Sequence, residues 1–217
     1  MISTRDLSQL PEIRSLKKLT QSLAMLDAIM MPDWSYRYYS FNAMWDDGEQ
    51  MASMNNGQGD EWYCLFNAQG AILKGFDHES VMSPWARDDH SVWPGVLDEV
   101  PERFSSFLKE PAFSIEDTTF CFWRSYADSR WRTGQIIFPE NEDDPDGSGW
   151  LLSILDGKAE TYQHWAEEYY ERVVSLTAVE RIYQHEVLTE SLARELNPDA
   201  EWKALVAEAA QIQYLLG

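Results

Sequence analysis

The sequence predicts an α+β fold: a mostly antiparallel sheet of about seven strands, with an N-terminal helix and a C-terminal helical segment packed on it. Three observations predict it. Apolar and polar residues alternate through Tyr36 to Glu79, with turn residues between the runs. A three- and four-residue apolar repeat occupies residues 11–30, and a similar repeat runs from about Ala159 to the end. Strands in runs, flanked by helices, are the pattern of helices laid on an antiparallel sheet. No composition shift marks a boundary, so 1–217 reads as one domain, with 159–217 able to form a helical subdomain.

In chain order, Ile13, Leu16, Leu19, Leu23, Leu26 and Met30 form one helical stripe, opened near Pro11 and stopped by Pro32. Tyr39, Phe41, Ala43 and Trp45 share one face of an extended run, with Ser40 and Asn42 on the other. Asp47-Gly48 turns the chain, Met51 to Met54 returns, Trp62 to Phe66 forms a third run and Ala71 to Phe76 a fourth. Ser80 to Glu99 reads as an irregular connection. Pro101 opens a short helix that Pro111 ends. Thr118 to Tyr126, apolar on both faces, is a central strand, and Trp131 to Phe138 returns beside it. Alternation of Trp150, Leu152 and Ile154 predicts a last strand. Tyr162, Trp165, Tyr169, Val173 and Leu176 share a helical face. Thr177-x-x-Glu180 has the form of a capping box, and Asp199 precedes the final helix as a cap.

Charge narrows the function classes. The chain carries −20 at pH 7, and residues 1–30 hold a net of +1, which leaves −21 for the remainder. Such a field repels phosphate backbones and attracts basic proteins, so nucleic-acid binding is disfavoured and a basic protein partner expected. No apolar run spans a bilayer, and the first residues lack a signal-peptide core, so a cytoplasmic location is expected. Cys64 and Cys121 lie in apolar runs and read as buried thiols, without a disulfide.

Two clusters could carry chemistry. His78, Glu79, Asp89 and His90, with Asp77 and Asp88, bring metal-binding and proton-moving groups to the end of the meander. They would serve a metal-assisted hydrolase, but no H-E-x-x-H or other recognised spacing is present. A polar connection with ion pairs to Arg87 is the simpler account. Glu140, Glu142, Asp143, Asp144 and Asp146, followed by Gly147 and Gly149, resemble the opening of a calcium loop whose last ligand is missing. That segment reads as a solvated acidic loop able to meet a basic partner. Trp85 and Trp93 flank charged residues in an irregular loop, the residue type that anchors protein interfaces. Nucleophile elbows and phosphate-binding glycine loops are absent, so no cofactor is expected.

The run GDEWYCLFNAQGAILKGFDHES, with Trp93-Pro94-Gly95 and Asp143 to Ser148, resembles a group of bacterial proteins known mainly as hypothetical proteins. More loosely, Gly57 to Phe66 and the order of elements are similar to the SMI1/KNR4 (SUKH) superfamily. That resemblance implies helices with an antiparallel sheet and an acidic immunity protein. The reading carried forward is a non-catalytic acidic protein that binds a basic protein partner, as an immunity or regulatory protein.

Overall fold

In the computed structural model, which describes residues 2–217, the alternating segment becomes four strands in sequence order. They are β1 (Tyr39–Asp46), β2 (Glu49–Asn55), β3 (Glu61–Asn67) and β4 (Gly70–Phe76). With β5 (Phe120–Ser125) and β6 (Arg132–Thr133) they form one antiparallel sheet in the order β1-β2-β3-β4-β5-β6. The sheet therefore has six strands, not about seven. Pairing places Tyr39 opposite Met54, Ala52 opposite Cys64, and Leu73 opposite Phe122, so the apolar sets of successive strands fall on one face. Gly48 turns β1 into β2 with φ of +73°, as the Asp47-Gly48 pair predicts.

The predicted N-terminal helix is α1 (Ile13–Met30). Its stripe of Leu16, Leu19, Leu23 and Leu26 is buried against the Tyr39–Phe41–Ala43 face of the sheet. Each such leucine stabilises the fold by about 1.5–3 kcal/mol relative to an exposed one. Helices α2 (Ser105–Lys109), α3 (Ser148–Leu151), α4 (Ala159–Tyr170), α5 (Leu176–Tyr183), α6 (Glu190–Leu196) and α7 (Trp202–Ile212) follow. Residues of α4 to α7 share one buried apolar cluster with α1 and the sheet face. The opposite face carries a smaller cluster, in which Leu65, Ile72, Cys121 and Trp123 meet Met82, Val96, Phe104, Phe107 and Phe113 from the irregular segment. Strand β4 lies between the two clusters and is buried at every residue. Gly75 of β4 has no room for a side chain, because a Cβ there would enter the Phe120 ring.

Five local expectations are corrected. The predicted strand at Trp150 to Ile154 is α3 followed by a 3₁₀ turn, Ser153–Asp156. Asp144 accepts hydrogen bonds from the Gly149 and Trp150 amides at 2.9 and 3.1 Å, and Gly147 adopts φ of +74° just before, so the chain enters a helix. The strand expected over Trp131 to Phe138 shrinks to β6, because from Gly134 the backbone lies against Gly95. No capping box forms at Thr177: Ser175 caps α5, its Oγ accepting from Ala178 N. Asp199 does not cap α7, whose N-cap position is Glu201, without a side-chain bond. Val173 lies beyond α4 and is exposed.

Candidate functional site

The outer face of β1–β3 is only partly covered by the second cluster. Where cover ends, a cleft of about 770 Å³ opens. Its floor is Ser40, Met51, Ser53, Asn55 and Tyr63 from the strands. One wall is the 3₁₀ turn Trp34–Tyr36, which Asp33 caps by accepting from Ser35 N and Oγ. Tyr38 and Tyr169 close that side, with ring centroids 4.6 Å apart, and Tyr169 Oη donates to the Tyr36 carbonyl. Trp45, stacked on buried Phe113 at 5.5 Å, forms the other side near Ala112. Trp34 is 69% exposed and Tyr36 62% exposed. Six aromatic rings thus line one open cleft.

Charge is arranged around the cleft rather than in it. Arg37 is the one ionisable base of the lining, and no carboxylate lines it. Carboxylates nonetheless bond to lining residues, four of them at its border. Asp33 holds Ser35, Glu61 accepts from Tyr63 Oη at 2.9 Å, Glu110 accepts from Ala112 N at 3.0 Å, and Glu208 pairs with Arg37 at 2.9 Å. Burial, the nearby Glu61 carboxylate and the bond to it keep the Tyr63 phenol protonated. Beneath the floor, Lys74 is fully buried and donates to Glu61 Oε1, the Ser114 carbonyl and the Asp117 carbonyl. Burial lowers its pKa, and Glu61 opposes that shift.

At the end of the cleft the 55–59 turn leads into the predicted metal cluster. Asn56, a lining residue, donates to Asp60 Oδ2 at 2.6 Å. Asp60 Oδ1 lies 2.7 Å from His78 Nδ1 and accepts the His78 amide at 3.0 Å. That contact with Asp60 raises the His78 pKa. Asp77 accepts from the Glu79 and Ser80 amides and from Trp150 Nε1. Among the described residues, Asp60, Asp77 and His78 are the metal-capable group whose ligand atoms fall within 4.8 Å of one another. The fold does not gather the four sequence candidates. His78 stands in the group, with its side chain 43% exposed. The Glu79 side chain is 84% exposed and 4.0 Å from His78 Nε2. Asp89 pairs with Arg87 at 3.1 Å, and His90 packs on Trp85 with centroids 5.1 Å apart.

The acidic loop divides. Glu140, Glu142 and Asp143 are exposed. Asp144 holds the start of α3. Asp146 is buried, bonded by Thr4 Oγ1 and by Ser148 N and Oγ, and burial raises its pKa. It has no surface to offer a partner. Ser80 Oγ and Met82 N both donate to the Pro145 carbonyl, so this loop and the 77–82 turn form one bonded unit. Trp85 is 64% exposed, with Nε1 donating to Asp117. Trp93 is half-buried, donating to the Ile137 carbonyl beneath the Arg87 guanidinium. Cys64 and Cys121 are free and buried, and burial drives both thiols up, Cys121 to about 12. A raised thiol is a poor nucleophile.

Sequence reasoning passed over Trp34, Tyr36 and Asp60. The signal for the first two was present: a Trp-x-Tyr-x-Tyr run just after a helix-ending proline, beside a strand whose second face is Ser40 and Asn42. A face so polar leaves neighbouring rings without a core to enter. No family model, curated protein or solved structure matches the chain. Among the described residues, no helix is long and apolar enough to cross a membrane.

Proposed function

We propose that the chain is a non-catalytic binding protein whose aromatic cleft takes an extended segment of a basic protein partner. The observation that carries this reading is the cleft itself: six lining rings, with Trp34, Tyr36 and Tyr169 exposed and Tyr38, Trp45 and Tyr63 half-buried, bordered by Asp33, Glu61, Glu110 and Glu208. Tryptophan and tyrosine supply most of the energy at protein interfaces. Ring faces also attract Lys and Arg, which the surrounding carboxylates favour over acidic residues. The exposed Glu140, Glu142 and Asp143 add to the steering field, and Trp85 offers a second anchor. An immunity or regulatory role, neutralising a basic partner, belongs to the same proposal, as does a cytoplasmic setting.

The test uses short peptides that place Lys or Arg beside Trp or Pro, compared with the same peptides carrying Glu instead. Basic peptides are expected to bind, more weakly as salt rises, and Trp34→Ala to weaken them at least ~10-fold. Trp34 is exposed, so its loss leaves the core intact. Equal affinity for both peptide sets, or binding unchanged in Trp34→Ala and Tyr36→Ala, would overturn the reading.

The alternative, a metal-assisted hydrolase, would centre on Asp60, Asp77 and His78. Asp60 and Asp77 already accept hydrogen bonds on both oxygens, and His78 Nδ1 is held by Asp60 Oδ1 at 2.7 Å, so an ion would have to share those carboxylates and compete for that imidazole nitrogen. That competition favours the binding reading.

A further inference from the structure

A second cavity, of about 630 Å³, lies far along the sheet, beside β6 and the N-terminal segment. Arg5, Arg103, Arg130 and Arg132 all line it. In a chain with 17 bases and 37 acids, guanidinium groups should find carboxylates easily. Among the described residues, the ion-paired arginines are Arg37, Arg87, Arg132, Arg181 and Arg194. Arg5, Arg103 and Arg130 are not among them. Arg5 donates to the Asp143 carbonyl and lies over Phe138, and Arg103 donates to Ser125 Oγ, both neutral partners. Arg132 reaches Asp128 only at 3.5 Å. Each lining acid accepts a bond from a neutral donor, and of the three Asp128 alone also meets a lining arginine. Asp6 accepts from the Ser8 amide, Glu99 from Gln135 Nε2, and Asp128 from the Ser125 amide.

We propose that this cavity binds a small phosphorylated organic molecule. The lining carries four positive and three negative side chains, so its excess charge is opposite to that of the chain. Arginine forks match the paired oxygens of a phosphoryl group, and a dianion can take two forks where a carboxylate takes one. The cavity is much larger than a bare phosphate. Half-buried Leu7 and Pro101 form part of its wall, an apolar surface for the carbon portion of the ligand, beside the nearly buried edges of Trp123 and Trp131. This inference is independent of the aromatic cleft, which shares no lining residue with it.

Isothermal titration of the full chain with phenyl phosphate, inorganic phosphate and benzoate tests it. Phenyl phosphate is expected to bind saturably and at least ~10-fold more tightly than benzoate, with inorganic phosphate weaker than phenyl phosphate. Arg103→Gln and Arg130→Gln should each weaken phenyl phosphate ~10-fold or more. Lys203→Gln makes the same change in net charge at an exposed site outside the cavity and should leave affinity unchanged. If Arg103→Gln fails to fold for want of its bond to Ser125, Arg130→Gln decides, since no hydrogen bond or ion pair ties that side chain among the described residues. Equal affinity for benzoate, no saturable binding of phenyl phosphate, or the same loss in Lys203→Gln would overturn the proposal.

Discussion

Asp27 sits in the last turn of α1, fully buried, and ties three elements together. It accepts the Tyr38 and Tyr39 amides, both at 2.9 Å, and the Tyr162 and Tyr170 hydroxyls at 3.1 and 3.2 Å. Burial raises its pKa from 3.8 to about 6, while these four donors hold it below neutrality, so it is ionised at pH 7. Because the folded pKa is the higher, the folded chain holds the proton more firmly between those values. The contribution of Asp27 to stability therefore falls as pH rises from about 4 to about 6, by about 3 kcal/mol. Asp27→Asn should remove that slope. At pH 7 it should also destabilise by about 1–3 kcal/mol, because one amide oxygen cannot serve four donors. Urea unfolding at several pH values between 4 and 7 checks both. A difference between variant and wild type that does not change with pH would contradict this account. In the sequence Asp27 is one charge among those of residues 1–30. Its four donors come from residues 11 to 143 positions away, and no local pattern announces them.

Elements whose signal is local were the most legible. The α1 stripe, the β1–β4 alternation and the Gly48 turn all appear where the sequence places them. Trp150 to Ile154 misled because alternate residues there are apolar, which fits a strand. Yet Leu151, Leu152, Ile154 and Leu155 are the buried set, at steps of one and three, as a helix requires. Competition between caps explains another miss. Ser175 and Thr177 both stand near the start of α5, and Ser175 is two residues earlier, where its Oγ reaches Ala178 N at 3.2 Å. Ser175→Ala should therefore destabilise the protein by about 1 kcal/mol, with Thr177→Ala costing little beyond a propensity change. Thermal unfolding of the two variants separates them. A larger loss in Thr177→Ala would restore the capping box.

Across the molecule, charge was legible as a sum and illegible as a distribution. The chain's −20 spreads over exposed residues such as Glu140, Glu142 and Asp143, while Asp27, Asp60, Asp77 and Asp146 are spent inside as acceptors. The sequence shows neither the aromatic cleft nor the arginine cavity, because each is assembled from segments far apart in the chain. The cleft joins residues 34–63 to Ala112 and Tyr169, and the cavity joins 4–8 to 99–133. These two sites make opposite demands on the surrounding field. A surplus of like charge destabilises the compact state through self-repulsion, and salt screens it over a Debye length of about 8 Å at 0.15 M. Sodium chloride should therefore raise Tm by a few degrees, about 2–4 °C for each kcal/mol of repulsion removed. Phenyl phosphate at the same ionic strength should raise it further, because it adds binding to screening. In Arg130→Gln the chloride effect should persist and the phosphate increment shrink. Were chloride and phenyl phosphate equivalent in the wild type at matched ionic strength, screening alone would account for the stabilisation and the arginine cavity would hold no specific anion.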